Sequence, residues 1–186
     1  MSTALIVVDI QNDYFPGGKM ELSNPEIAAA NAAKVIEWFR ENHSGHIFHV
    51  QHIAGDPALG FFLPDTEGAE HHETVQPLKD EKIIVKNFPN SFLNTELENQ
   101  LKEKGITKVV VAGMMTHMCI DATVRAAVDL GYETTLIEDA CATKELTYQN
   151  KTTSAEQVHY SFVGALQGMY AEVTSTEDFL QQKTTN

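Results

Sequence analysis

The sequence predicts a three-layer α/β/α domain built on a mainly parallel, six-stranded sheet. Short apolar runs rich in Val and Ile alternate with helical patterns along the whole chain. That alternation is typical of a parallel sheet covered by helices on both faces. A chain of 186 residues is long enough for one full core, and no linker or repeat divides it, so we expect a single domain over residues 1–186.

The individual elements follow from local patterns. Six segments have the composition of strands: residues 3–9, 46–53, 82–86, 107–112, 133–137 and 171–174. Apolar residues at helical spacing predict helices over residues 25–39, 93–104, 119–130 and 154–169, with a short terminal helix beginning near residue 176. Residues 55–79 are rich in Gly, Pro, Asp, Glu and His, which predicts a long functional loop that acts as a lid or contacts another subunit.

Composition and charge exclude several classes of protein. Acidic residues outnumber basic ones by 26 to 13, and a net charge of −13 disfavours binding to nucleic acid or to anionic membranes. No apolar run is long enough to cross a bilayer, and no basic, cleavable segment precedes the first strand. The two cysteines, Cys119 and Cys141, suit a reducing compartment rather than a disulfide framework. We therefore expect a cytoplasmic protein that binds neither nucleic acid nor membrane.

Three reactive side chains stand where predicted strands end. Asp9 follows the first strand, Lys86 ends the third, and Cys119 lies just beyond the bend at Gly113. The carboxyl ends of parallel strands meet at one edge of the sheet, where active sites lie. Taken singly, the three residues also suit a turn cap, an exposed strand-end charge and a buried core thiol.

Together, these three side chains have the chemistry of nucleophilic catalysis. Cys119 would be the nucleophile, Asp9 a base that takes its proton, and Lys86 a cation beside the sulfur. The sequence places Cys119 at the first turn of a helix, whose positive end favours an anion. We therefore expect a Cys119 thiolate with a pKa well below the ordinary value of about 8.5.

Four segments resemble the isochorismatase-like cysteine hydrolases, a family that includes nicotinamidases, N-carbamoylsarcosine amidohydrolases, streptothricin hydrolases and isochorismatases. They are residues 5–15 (LIVVDIQNDYF), 86–92 (KNFPNSF), 113–119 (GMMTHMC) and 138–143 (EDACAT). The resemblance covers nearly the whole chain, and four motifs in order are far more specific than one.

The resemblance implies roles for particular residues. Asp9, Lys86 and Cys119 would form a catalytic triad. The peptide bond before Met115 would be cis, and the N–H groups of Met115 and Cys119 would form an oxyanion hole. Family members are commonly dimers or tetramers, so the resemblance also implies a homo-oligomer.

Whether the resemblance implies a bound metal depends on one segment at the end of the second strand. Nicotinamidases of the family hold a divalent metal beside the triad through a Gln-Asp-Trp-His pattern, whereas residues 51–54 here read QHIA. His52 and Ala54 therefore replace two expected ligands. We expect no metal and no cofactor, and we place His52 in the pocket wall. The alternative is a metal gathered by other histidines, from the set His49, His52, His71 and His72.

Aromatic residues near the triad in sequence are candidates for the pocket walls. Phe15 and Phe92 are predicted to line the pocket, because pockets at strand mouths need apolar walls. His117 lies in the bend before the cysteine and is expected to face the substrate. A hydrogen bond from His117 to the loop backbone is an equally good interpretation.

The leading hypothesis is a metal-independent cysteine hydrolase that cleaves a C–N, amide-type bond of a small molecule through a thioester on Cys119. One alternative is an isochorismatase-type vinyl-ether hydrolase with Asp9 as the general acid. Another is a relative that only binds a ligand. Phosphoryl transfer through Asp9 is disfavoured, because Gln11 stands where such enzymes usually place a second carboxylate.

Overall fold

The computed structural model describes residues 2–43 and 45–184 and contains the expected α/β layers. The strands are β1 (Ser2–Val8), β2 (Ile47–His52), β3 (Lys82–Lys86), β4 (Ile106–Met114), β5 (Glu133–Ala142), β6 (Leu146–Tyr148), β7 (Lys151–Thr153) and β8 (Glu172–Thr174). Six of them form one parallel sheet in the order β3-β2-β1-β4-β5-β8, which confirms the predicted fold class. The predicted domain limits, Met1 and Asn186, lie outside the described residues.

Helices cover both faces of this sheet. They are α1 (Pro25–Asn42), α2 (Leu97–Glu103), α3 (Asp121–Asp129), α4 (Ala155–Leu166) and α5 (Thr176–Thr184). Side chains of β1 alternate between two buried clusters, because successive residues of a strand point to opposite faces. Leu5 and Val7 pack with α1 and α5, while Ile6 and Val8 pack with α2, α3 and α4. Among the described residues, no helix is both long and apolar enough to cross a bilayer.

Three helices are shorter than the spacing of apolar residues predicts, among them α3, which spans Asp121–Asp129 rather than residues 119–130. α2 begins at Leu97 rather than at residue 93, because side chains before it bond to the backbone and compete with a helix. Thr95 Oγ1, for example, donates to the carbonyl of Ser91 at 2.6 Å. α4 ends at Leu166 rather than at residue 169, because Gly168 adopts a left-handed conformation with φ of +81°.

The chain after β4 departs further from the prediction. β5 runs to Ala142 rather than to residue 137, with an irregularity in its pairing with β4. β6 and β7 then form a separate antiparallel hairpin that was not predicted. Their three-residue strands are mostly exposed, so they lack the alternation of apolar residues by which half-buried strands are recognised.

Candidate active site

The three side chains predicted to converge lie together in one buried cluster. Asp9, Lys86 and Cys119 are 0%, 1% and 3% exposed. Lys86 Nζ lies 2.7 Å from Asp9 Oδ2 and 3.3 Å from Cys119 Sγ. A single ammonium therefore contacts both the carboxylate and the thiol. Charges can be buried this deeply because each has a partner of opposite charge.

Burial and the neighbouring charges set the protonation of the cluster. Burial by itself lowers the pKa of Lys86, but Asp9 and Cys119 outweigh it, so the net shift is upward and the lysine is charged. Burial raises the pKa of the Cys119 thiol well above its ordinary value, Asp9 raises it further, and Lys86 opposes both only in part. The resting site therefore holds a protonated thiol.

The expectation of a resting Cys119 thiolate is thus wrong. The sequence shows that a lysine stands near the cysteine, but it does not show the burial that dominates the pKa of the thiol. The expected helix start is also displaced. Cys119 lies in a π-helical turn, Thr116–Ile120, and α3 begins only after that turn. The positive end of α3 is consequently not centred on the sulfur.

The two candidate oxyanion donors lie at this π-helical turn, Thr116–Ile120 (the nucleophile turn): Cys119 is within it and Met115 comes directly before it. The N–H of Ile120 donates to the carbonyl of Met115 at 3.2 Å, which closes the wide turn around Cys119. The peptide bond between Met114 and Met115 is cis. Met115 is buried directly before the turn. The role of the Met115 and Cys119 N–H groups as an oxyanion hole stays a prediction.

Two backbone features at the ends of β1 and β4 allow this convergence. Asp9 has φ of +51°, a left-handed conformation that aspartate tolerates better than most residues. Gly113 pairs with Val8 and has φ of +135°. A Cβ at Gly113 would collide with the carbonyl oxygen of Val8. Glycine therefore lets the two strands approach closely where the chain leaves for the nucleophile turn.

His52 belongs to the same cluster, and its position follows from the register of the sheet. It is the direct neighbour of Lys86 across the parallel β2–β3 pair. Gln11 holds its backbone, because Gln11 Oε1 accepts from His52 N and Gln11 Nε2 donates to His52 O, both at 2.8 Å. Sequence reasoning treated Gln11 only as a missing carboxylate. The sequence showed only that Gln11 lies two residues beyond Asp9 and so close to the same edge of the sheet.

Residues 55–79 cover this cluster and include three short 3₁₀ turns. The turns are Pro57–Leu59, Glu67–Ala69 and Glu73–Val75. Phe62 is fully buried, with its ring centroid 5.9 Å from that of His52 and 4.6 Å from that of Tyr14. Its N–H donates to Asp13 Oδ2 at 2.6 Å. Sequence reasoning missed Phe62, because an irregular loop has no periodicity to show which side chain points inward.

The other predicted pocket residues have different surroundings. Phe92 packs in the same buried cluster as Cys119, whereas Phe15 stacks on His72 with ring centroids 3.6 Å apart. The Nδ1 of His117 lies 2.6 Å from the hydroxyl of Thr143, so this histidine bonds to a side chain rather than to the loop backbone. A substrate-lining role for Phe15, Phe92, His52 and His117 stays a prediction.

The cluster does not fit a metal ion. Asp9, His52 and Cys119 each offer a ligand atom, and these atoms lie within 4.8 Å of one another. Lys86 Nζ, however, lies 2.7 to 3.3 Å from an atom of each of the three. A metal ion held by the same atoms would therefore face an ammonium at close range, at a large Coulomb cost. No other group of three such ligands is found among residues 2–43 and 45–184.

A buried thiol, carboxylate and ammonium thus meet at the carboxyl ends of the parallel strands, an arrangement whose chemistry suits hydrolysis. The family model described as the Isochorismatase domain matches residues 3–178. The chain therefore belongs to the isochorismatase family and is a hydrolase of that family.

Known proteins agree with this assignment. An uncharacterized isochorismatase family protein of Bacillus subtilis, YddQ, is 57% identical over 97% of this chain and 100% of its own length. A solved putative isochorismatase hydrolase from Oleispira antarctica is 43% identical, with a TM-score of 0.92, and covers 97% of this chain and 96% of its own. A streptothricin hydrolase of Streptomyces noursei is 32% identical over 77% of this chain and 50% of its own length.

Proposed function

We propose that the protein is a metal-independent cysteine hydrolase that cleaves the C–N bond of a small amide-type substrate. The observation that carries the proposal is the Lys86 ammonium held 2.7 Å from Asp9 Oδ2 and 3.3 Å from Cys119 Sγ. Those contacts put a thiol, its proton acceptor and a balancing cation in one place. The similarity to a streptothricin hydrolase supports amide chemistry for this chain.

The first half of the reaction forms a thioester. Asp9 takes the proton of the Cys119 thiol as the sulfur attacks the carbonyl carbon, and the N–H groups of Met115 and Cys119 receive the oxyanion. The tetrahedral intermediate collapses, the C–N bond breaks, and the protonated Asp9 gives its proton to the leaving nitrogen. The acyl group then remains on Cys119 Sγ, while Lys86 keeps the cluster electrically balanced.

The second half returns the enzyme to its resting state. A water molecule attacks the thioester carbonyl and gives a proton to Asp9. The C–S bond breaks, the carboxylic acid product leaves, and Asp9 returns the proton to Cys119. Because burial and Asp9 raise the pKa of this thiol, proton transfer to Asp9 must accompany attack rather than precede it.

Hydrolysis of a vinyl ether is the competing activity, and it needs Asp9 as an acid but no thiol. The contact of Cys119 with Lys86 favours the amide reaction. Release of ammonia or amine from a panel of small amides tests the choice. We expect activity in the native protein and at least a thousandfold loss in Cys119→Ala, about the range for removing a nucleophile. Full activity of Cys119→Ala on a vinyl ether, with Asp9→Asn inactive, would contradict the proposal.

The proposal includes two expectations about the protein in the cell. The protein is expected to be a homodimer or homotetramer, which remains a prediction. A cytoplasmic location also remains a prediction, and the two free, buried cysteines support it. Size-exclusion chromatography with light scattering measures the oligomeric state. A monomer at micromolar concentration would contradict the first expectation.

A further inference from the structure

The Lys86 ammonium has more polar neighbours than it has protons. Asp9 Oδ2 lies at 2.7 Å, His52 Nδ1 and the Phe88 carbonyl at 3.0 Å, and Cys119 Sγ at 3.3 Å. An ammonium has three N–H donors and no acceptor. The contacts to His52 Nδ1, the Phe88 carbonyl and Cys119 Sγ have hydrogen-bond geometry and use the three protons, whereas Asp9 Oδ2 is held by charge as an ion pair. His52 is thus one of three groups that decide where the Lys86 protons point.

The contact between Lys86 Nζ and His52 Nδ1 fixes the tautomer of the imidazole. Because Lys86 can only donate, His52 Nδ1 must be an unprotonated acceptor, and the proton of a neutral ring must lie on Nε2. A proton on Nδ1 would point at the ammonium. The charged groups facing the ring are Lys86 from β3 and Asp9 after β1, whose Oδ2 is 3.9 Å from Nδ1. The nucleophile turn adds the neutral Cys119 thiol, and the loop adds the uncharged Phe62 ring.

The surroundings of His52 hold it in this orientation. Its backbone is clamped on both sides by the buried Gln11, which also donates to the Ala69 carbonyl of the covering loop at 2.8 Å. Burial lowers the pKa of the ring, Lys86 lowers it further, and Asp9 opposes both. The neutral acceptor form is therefore the stable form near neutral pH.

We propose that His52 is a positioning residue, which accepts a hydrogen bond from Lys86 and thereby holds the ammonium between Asp9 and Cys119. The inference rests on the proposed hydrolysis, and it gives His52 a role other than binding the substrate. Lys86 belongs to an edge strand and reaches the site through four flexible methylene groups. Without the third acceptor, its ammonium has a wider choice of positions, and its distance to the sulfur is no longer fixed.

Two substitutions separate positioning from substrate binding. His52→Asn keeps an acceptor oxygen close to the place of Nδ1, whereas His52→Leu keeps the volume but cannot accept. We expect His52→Leu to lower kcat about 10- to 100-fold with little change in KM, the range for losing a hydrogen bond to a charged group. His52→Asn should recover most of that loss. Gln51 is the neighbour of His52 on β2, and its native side chain donates to Ala69 O. Gln51→Leu therefore controls for a general disturbance of β2.

A second measurement does not depend on hydrolysis. In protein with ¹⁵N-labelled histidine, the His52 signals should show a proton on Nε2 and none on Nδ1 at pH 7. Lys86→Met should remove this preference. A proton on Nδ1 would overturn the proposal, as would a raised KM with unchanged kcat in both His52 variants. If the expected tautomer is found but no amide is cleaved, the His52–Lys86 contact is supported and the proposed function fails.

Discussion

The reactivity of Cys119 depends on the charges of Asp9 and Lys86, which lie within 4.8 Å of its sulfur, rather than on the cysteine alone. Asp9 raises the pKa of the thiol and Lys86 lowers it, on top of a larger upward shift from burial. The convergence of the three residues could be predicted from the sequence, because Asp9 and Lys86 end apolar runs and Cys119 follows the bend at Gly113 that ends a third. The protonation state could not, because the depth of burial depends on the loop that covers the cluster.

The opposing effects of Asp9 and Lys86 predict opposite labelling phenotypes. Asp9→Asn removes the nearby negative charge, so the pKa of Cys119 should fall and iodoacetamide should label it at lower pH than in the native protein. Lys86→Met removes the cation, so labelling should require a higher pH. Peptide mass spectrometry of alkylated protein measures both.

Cys141 is the internal reference for this labelling experiment. Burial raises its pKa to about 12, and the charges that act on it are Glu138 and Asp139 rather than Asp9 or Lys86. Its labelling should therefore stay slow and equal in all three proteins. A shift of Cys119 labelling in the same direction in both variants would contradict these opposing effects. Labelling of native Cys119 at neutral pH like an exposed thiol would contradict the raised pKa.

At the scale of elements, the close approach of β1 and β4 carries Asp9 and Cys119 to each other. Gly113 faces Val8 across this pair, and a side chain there would strike the Val8 carbonyl. Sequence reasoning recognised Gly113 as a bend. It could not recognise a strand contact, because pairing partners are far apart in the chain.

Gly113→Ala should therefore lower the free energy of unfolding by about 2 to 4 kcal/mol, since both the clash and the positive φ must be relieved. Gly164→Ala is the matched control, because Gly164 lies in α4 with open space around it. There the same substitution should stabilise by about 0.5 to 1 kcal/mol. Urea unfolding measures both values, and equal effects at the two sites would contradict the account of the β1–β4 contact.

A second element, the loop of residues 55–79, attaches to the sheet beside a buried histidine pair. His71 bridges to Gln11, and its ring lies 5.8 Å from that of His49, which contacts Glu81 at 2.8 Å. His49 lies on β2, so the loop is fixed to the strand that also carries His52. The composition of the loop gives no sign of these attachment points, and its role as a lid or subunit contact stays a prediction.

At the scale of the whole molecule, these groups make folding stability sensitive to acid. Burial, with a smaller contribution from nearby His49, lowers the pKa of His71 from 6.5 to about 4. Between these values the unfolded chain binds more protons, so stability falls as the pH drops from 6.5 towards 4. For Glu81 the net pKa is lowered to about 2: burial opposes the shift, but bonds from Arg40, Leu78 and His49 outweigh it. Its contribution is lost from about pH 4.5 downward.

The histidine contribution predicts a pH-dependent difference between two proteins. Full protonation linkage of His71 is worth about 3 kcal/mol, at 1.36 kcal/mol per pKa unit. The native protein should therefore lose stability between pH 6.5 and 4 more steeply than His71→Asn, which has no titrating side chain at position 71. Thermal unfolding at a series of pH values measures the two slopes. Parallel curves for the two proteins would show that His71 carries no such linkage.

Structural features set by residues that are close together in the chain could be predicted from the sequence, whereas contacts between distant residues could not. The parallel sheet and its strand-end residues were predictable, because apolar runs and their ends are local features of the chain. The Lys86–His52 contact, the Phe62 side chain over the site and the β6–β7 hairpin were not. Each depends on cross-strand register, loop packing or short exposed strands, none of which leaves a periodic pattern in the sequence.

The central claim is that Cys119 forms a covalent acyl intermediate, and trapping that intermediate tests it most directly. Native protein is mixed with a slowly cleaved amide, quenched in acid within milliseconds to seconds, and weighed by intact mass spectrometry. We predict a mass increase equal to the acyl part of the substrate, located on Cys119 and absent in Cys119→Ala. Turnover of the same substrate with no adduct at any time, and with Cys119→Ala still active, would contradict the account.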